Sequence, residues 1–528
     1  MTPDRTYWSP GDRPGTLDHA RALARSIAES PYQSAGVLAA LAAAATLHPI
    51  LGLASAATGA AFLACRPKPQ GEPLYRTPDQ RDRFAKGAYA LDLGLDPATG
   101  RSVRLDRDEA TMHMLLLGET GSAKTECLLG FAEGVIASGS GTLFVDGKGD
   151  CTLVEKLGTI AANYGRADDL LVLDLLRSRE APDALRNTFN PFAHGDAEAL
   201  AELILDIAYG SDHRRRDLRV DLLLRGILRH LVALRAQGES FGVQSLQAHL
   251  SLGVVVGLST APEAQDCVRD ALRRYLAGLA GYNAERGSRQ NASATEAHAQ
   301  VLAGLLPVLA LIADACDHVI VDGQGEIDLA DAVRNRRIVV VTLPVLLKAG
   351  AMGEALGRVV SASLKCLLTA LVPEPEPGRV AQIVPGESGA PFMVILDDVG
   401  HYAVEGLALL AARARHSGLS MIYASEDMPS LLRDGGIEAS SIVANTVTKA
   451  FLGQGSGPVP DWHASPRGTV AATDPLARPG KSGDLLVDFK SEKLFLRARH
   501  PMPLRRLPLR ANRLLPLPPA TLPAGDAR

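Results

Sequence analysis

The stretch Gly118-Glu-Thr-Gly-Ser-Ala-Lys-Thr125 constrains this chain more than any other, because of what stands on either side of it. Apolar Met114–Leu117 reads as a strand leading in, and Glu126–Ala137 as a helix leading out. A phosphate-binding loop needs that context: backbone N–H groups at a helix N-terminus cradle phosphate, a lysine reaches the β- and γ-phosphates, and a hydroxyl holds Mg²⁺. Lys124 and Thr125 fill the last two roles, and Gly118, Glu119, Thr120, Gly121, Ser122 and Ala123 form the loop. The usual pattern breaks at Ala123, where glycine normally precedes the lysine. A methyl group there crowds the loop where backbone approaches phosphate. Stripped of its context the stretch would be a Gly-rich turn; with it, ATP and Mg²⁺ are the expected ligands.

The rest of the composition narrows the setting. A length of 528 residues allows about three or four structural units. Hydrophobic residues at 46% and charged residues at 22% exclude a disordered chain and a polytopic membrane protein. A formal charge of −4 argues against a protein that coats polyanions, leaving only a local basic groove. Aromatic residues at 4% point to aliphatic, largely helical cores and disfavour aromatic platforms for single-stranded nucleic acid. Cys65, Cys127, Cys151, Cys267, Cys316 and Cys366 form no C-x-x-C pair, so no zinc site is expected and they read as small buried residues in a reducing compartment.

Along the chain, residues 1–33 read as a polar cytoplasmic tail without a secretory cleavage pattern. Residues 34–65 carry no formal charge and are broken only at His48-Pro49. That length fits a transmembrane hairpin or a single span. Arg21 and Arg25 before it and Arg66 and Lys68 after it favour the hairpin; two buried Ala-rich helices are the alternative. Residues 66–110 form a stalk leading into the motor domain, with a strand at 103–105. A first nucleotide-binding part covers 111–195, an all-helical insertion 196–335 and a second nucleotide-binding part 336–515, ending in a flexible tail at 516–528. Strands are expected at 337–343, 391–400, 419–427, 447–453, 484–489 and 493–499, besides those around the loop. The fold class is therefore α/β with a parallel sheet, interrupted by helices.

The partner of the loop is FMVILDDVG, an apolar strand ending in Asp397 and Asp398. At the end of a central strand beside the P-loop, the first acid joins the Mg²⁺ shell and the second orients or deprotonates the attacking water. Arg413 and Arg415 precede the next strand and Glu426 follows it, places suited to a charge-neutralising arginine and a γ-phosphate sensor, or to a solvated helix face. Asp146 and Lys148 close the strand after the loop helix, near the nucleotide or in a plain turn. The basic run His213–Arg219 reads as a solvated turn diluted by Asp212, Asp217 and Asp221, or as a phosphate contact. The Arg- and Pro-rich stretch 500–513 is unsuited to a DNA-reading helix.

Taken together, GETGSAKT, DGKGD at 146–150, RNTFNPF at 186–192, EIDLADAVRNRRIVVVTLPVL at 326–346, the stretch 395–431 and SIVANTVTKAFLG at 441–453 resemble the coupling ATPases of type IV secretion and conjugation. The resemblance is to the DotL/IcmO and TrbC-like subgroup of the TraG/TraD class, and covers roughly residues 85–515. It implies a RecA-like P-loop NTPase domain with an all-helical insertion and an N-terminal transmembrane segment in the inner membrane, the motor facing the cytoplasm. It further implies a homohexamer that uses ATP to deliver secreted proteins or a relaxase–DNA complex to type IV secretion channel components. By position, Lys124 and Thr125 match the phosphate and Mg²⁺ ligands, Asp397 the metal-shell acid, Asp398 the catalytic carboxylate and Arg415 a trans-acting finger. Three departures stand out: Ala123, which MCM-type helicases share; Asp398 for the more usual Glu; and Glu426 for a common Gln. Slow turnover is the expected consequence, since a carboxylate near the γ-phosphate repels it unless protonated or turned away. The C-terminal adaptor-binding extension of the DotL proteins is not expected. Two other readings compete: a nucleotide-bound docking platform with little hydrolysis, and a soluble FtsK/HerA-like DNA translocase.

Overall fold

Apolar runs on both faces of a strand require cover on both sides, and this chain supplies it with helices. The computed structural model describes residues 90–97, 100, 102–150, 152–176, 186–210, 217–344, 350–371, 390–453, 482–490, 492–499 and 501, all within the unit Gly87–Arg528. The expected tails, the charge-free run 34–65, residues 213–216 of the basic run and most of 500–513 lie outside these residues.

One 11-stranded sheet organises them. In chain order the strands are β1 (Ala90–Leu95), β2 (Ser102–Asp106), β3 (Met114–Gly118), β4 (Thr142–Asp146), β5 (Leu170–Asp174), β6 (Ile338–Thr342), β7 (Phe392–Asp397), β8 (Leu419–Ser425), β9 (Thr448–Gly453), β10 (Asp484–Phe489) and β11 (Glu492–Arg497). Their order is β2-β1-β11-β10-β9-β3-β8-β7-β4-β6-β5. From β9 to β5 every pairing is parallel; from β9 outward to β2 every pairing is antiparallel.

Side chains alternate between two cores, as strand geometry requires. Leu115, Leu117, Val145, Val394 and Leu396 face one core with the helix Gly350–Leu371. Met114, Leu116, Phe144, Met393 and Ile395 face the other, against the loop helix Lys124–Ala137 and the helix Leu153–Asn163. Between Ala197 and Arg334 no strand of the sheet intervenes among the described residues, only helices, several opened by aspartate caps at Asp196, Asp217 and Asp328. This block is tied to the sheet layer by a partly buried ion pair. Lys365 Nζ, on the helix Gly350–Leu371, lies 2.6 Å from Asp206 of the helix Ala197–Tyr209.

Two observations revise the sequence reading. β1 was not foreseen, and residues 90–106 are already two strands of the sheet rather than only a stalk. Cys267 is exposed, not buried. Among the described residues, no single helix is long and apolar enough to cross a membrane.

Candidate functional site

In the parallel part of the sheet the C-terminal strand ends lie together, which brings residues from β3, β4, β7 and β8 to one edge. Leaving β3, Gly118 packs so tightly that a Cβ would come 2.6 Å from Ser122 Oγ. Glu119, Thr120 and Gly121 are exposed and Ser122 is buried. Gly121 (φ 84°) and Ala123 (φ 70°) both adopt the left-handed region, which curls the loop into the helix that starts at Lys124. Ala123 thus occupies a backbone conformation that glycine takes freely and an L-residue takes at a cost. It gives the helix no side-chain cap, leaving the N-terminus to an external acceptor. Thr125 is half-buried in the first turn.

Lys124 runs back under the loop to the end of β7. Its Nζ lies 2.7 Å from Asp397 Oδ1 and 2.5 Å from Asp398 Oδ1, all three side chains being buried. Burial opposes the ammonium charge, but the two carboxylates outweigh it and hold Lys124 above its ordinary range. Asp398 is shifted upward: burial and then the charge of Asp397 raise it, and Lys124 and Lys148 only partly compensate. Like Ala123, Asp398 sits in the left-handed region, at φ 54°. Asp397 Oδ1 accepts the Asp398 N–H at 3.0 Å, its main-chain carbonyl accepts the Tyr402 hydroxyl at 2.8 Å, and yet Asp397 Oδ2 and Asp398 Oδ2 have no hydrogen-bond partner.

Glu426, following β8, accepts hydrogen bonds from the Thr120 hydroxyl and from Lys148 Nζ, each at 3.1 Å. Partial burial raises its carboxyl, but Lys148 above all outweighs that and lowers it. It is therefore neither protonated nor turned away; it is paired. Asp146 folds the turn after β4, accepting the N–H groups of Lys148 (2.9 Å) and Asp150 (2.5 Å), and burial pushes its carboxyl up to about 6, with Asp397 adding to the rise.

Counted as ions, Lys124, Lys148, Asp397, Asp398 and Glu426 carry one excess negative charge, and two buried carboxylate oxygens make no hydrogen bond. That donor set fits a hard divalent cation with its own water and phosphate ligands. No group of three or more His, Cys, Asp or Glu that could hold a metal by itself occurs among the described residues, so such a cation would share its shell with phosphate.

Arg415 is the expected residue that does not join the others. It lies in the turn Arg415–Ser417 before β8, whereas Glu426 follows β8. A seven-residue strand spans about 20 Å, so Arg415 and the loop occupy opposite edges of the sheet. There it lines a cavity of about 460 Å³ with Arg107, Thr111, Met112 and His416. Lys148 is the contributor that sequence reasoning left undecided, and the DGKGD turn was its signal.

A parallel sheet with a P-loop at one strand end, two acids on a strand one removed from it, and a polar residue on the strand between defines a P-loop nucleotide-site protein of RecA-like layout. No family model matches the chain. Over 389 residues, 68% of its length, it is 33% identical to the type 4 coupling protein DotL of Legionella pneumophila, and it spans about half (49%) of that relative. The similarity is to a type IV coupling protein, the class that the sequence motifs resemble. Looser structural likenesses are to the bacterial conjugative coupling protein TrwB (17% identity, TM-score 0.47, 78% of this chain and 89% of that one) and to VirB4 of Thermoanaerobacter pseudethanolicus (12% identity, TM-score 0.43, 78% and 96%).

Proposed function

We propose that the chain is an ATP-hydrolysing motor that delivers protein or relaxase-bound DNA to a type IV secretion or conjugation channel. It would work as a homohexamer held to the inner membrane through residues 34–65, with the motor domain in the cytoplasm. The observation that carries this reading is the Lys124 clamp: a P-loop lysine between two buried acids that each keep one oxygen free. When nucleotide arrives, Lys124 exchanges a carboxylate for β- and γ-phosphate oxygens. Thr125 and Asp397 are the residues that would hold Mg²⁺, which when bound neutralises charge on those oxygens. Asp398, released from Lys124, accepts a hydrogen bond from the attacking water; burial and the Asp397 charge shift its carboxyl upward, which makes it a stronger proton acceptor than an ordinary aspartate. Glu426 reads the terminal phosphate through Thr120 and Lys148. Arg415, at the opposite edge of the sheet, is available only to a neighbouring subunit's nucleotide.

Asp398→Asn tests this directly. In the full chain, assembled with DNA or channel components, hydrolysis should fall at least about 100-fold while nucleotide binding persists, because only the water-orienting group is lost. Equal turnover in the variant and the parent would defeat the motor reading. A docking platform with little hydrolysis is favoured by one observation, that Lys124 is already doubly paired and must be displaced. It predicts tight binding with no turnover in the parent protein even after assembly.

A further inference from the structure

Among the described residues, Lys148 is the cation at the nucleotide edge that neither the P-loop nor the acid strand accounts for. Its backbone is pinned. The Lys148 N–H donates to Asp146 Oδ1 at 2.9 Å, and the Gly147 N–H to the Asp397 carbonyl at 3.3 Å. A Cβ on Gly147 would come 2.8 Å from that carbonyl, so the turn lies directly on the end of β7. From this anchored position Nζ reaches 3.1 Å from Glu426 Oε1 and 3.8 Å from Asp398 Oδ2. Glu426 Oε1 also accepts the Thr120 hydroxyl, tying the P-loop tip to the same pair. The Lys148 side chain is 28% exposed and that of Glu426 44%, which places the pair on the rim of the site, above the buried clamp.

An unpaired carboxylate here would repel an incoming phosphate, and Glu426 is kept from being one by Lys148. We propose that Lys148 is a positioning residue for the terminal phosphate of a nucleoside triphosphate: it neutralises Glu426, so that the two act as one uncharged unit at the rim. This rests on the ATP-binding reading of the same site. Chemically the role suits lysine, a compact charge on a flexible stem with three donors, able to keep Glu426 while turning another N–H toward phosphate. It also explains how a glutamate stands where an uncharged side chain would do: the charge is tolerated because its counter-ion is built into the turn after β4.

Suppression distinguishes the pair from two independent residues. Binding of ATP and of ADP to the full chain is measured by competition against a fluorescent nucleotide, for the parent, Lys148→Ala, Glu426→Gln and the double variant. Because ADP lacks the phosphate concerned, Lys148→Ala should weaken ATP about tenfold and ADP less than about twofold. The defect should shrink as salt is raised. Adding Glu426→Gln should return ATP affinity to within about threefold of the parent, since the repulsive charge has gone with its partner. Equal loss of ATP and ADP in Lys148→Ala, or a double variant as weak as that single one, would overturn the proposal. A parent protein that binds neither nucleotide would overturn the ATP reading itself, and this inference with it.

Discussion

The connection from β7 to the helix Leu407–Ala414 starts at one set of buried carboxylates and ends at another, and the two are satisfied in opposite ways. At its start, Asp397 and Asp398 share Lys124, and one oxygen of each makes no hydrogen bond, Asp398 Oδ2 having only the longer ion pair with Lys148 at 3.8 Å. At its end, Glu438, reaching across from the helix Met428–Asn445, accepts the N–H groups of Gly406 at 2.8 Å and Ala408 at 2.7 Å. Gly406 has φ 86° and offers the helix no side-chain cap, so Glu438 supplies the missing acceptor from another element. Burial is nearly complete in both places. What differs is use: the first set leaves hydrogen-bonding capacity unspent, and the second spends both its oxygens on the backbone. An unmade hydrogen bond in a buried site costs about 1–3 kcal/mol, so the open oxygens mark where the fold tolerates cost in return for binding.

Lys124→Ala should separate the two sets most strongly. It should abolish the proposed nucleotide hydrolysis, and it strips the counter-ion from two buried acids, a loss that typically reaches roughly 3–5 kcal/mol. Asp398 already titrates above its ordinary range, and removing Lys124 raises it further. A carboxyl raised on folding contributes stability that is present while it is protonated and lost as pH rises through its folded value. The variant's loss of stability in urea unfolding should therefore grow as pH is raised. A Lys124→Ala protein as stable as the parent at every pH would mean that the clamp does not hold the acids in place.

Glu438→Gln probes the other end. Burial first, only partly offset by the Ala408 and Gly406 N–H groups and by Lys365, pushes Glu438 up to about 7, with Glu405 adding to the rise. Raised from 4.5, it gives stability that is full below pH 4.5 and lost as pH climbs through about 7, on the order of 3 kcal/mol. Asp146, pushed up to about 6, slopes the same way. Between pH 5 and 8 the glutamine variant should thus show a flatter but not flat stability profile, and at pH 8 it should lose about 1–3 kcal/mol because one amide oxygen cannot serve two N–H groups well. An unchanged slope would remove Glu438 from the comparison.

The sequence reveals one of these sites far better than the other. Asp397 and Asp398 announce themselves at the end of FMVIL, as Lys124 does in its loop, because both sit where an apolar run stops. Glu438 has no such marker: it is a polar residue within SLLRDGGIEASSIVAN, and only the fold brings it to Gly406. Lys148 lies between these cases, visible as part of DGKGD but without a role until β4 and β8 are placed. The same limit applies to strands. Runs such as IVVVT and FMVILD identify themselves, whereas β1 carries Gly94 at a shift in its pairing with β2, and five-residue β5 follows a short turn at the sheet edge. Order across the sheet was not readable either, since nothing local says that β8 enters between β3 and β7.

The smallest expected effect falls on Ala123. Its left-handed backbone, φ 70° and ψ 30°, is part of the open site, whereas at the Glu438 end the left-handed position is held by a glycine, Gly406. An L-residue in that region carries a cost of roughly 1–2 kcal/mol, and glycine removes it while adding unfolded-chain entropy. Ala123→Gly should therefore stabilise the nucleotide-free protein by about 0.5–1 kcal/mol, read as a shift in the urea midpoint with an unchanged slope. Gly406→Ala should do the reverse by a similar amount, because it moves the same methyl group into the same backbone region. If Ala123→Gly is neutral or destabilising, the loop's curvature is not strained, and the cost of the open site resides in its unpaired oxygens alone.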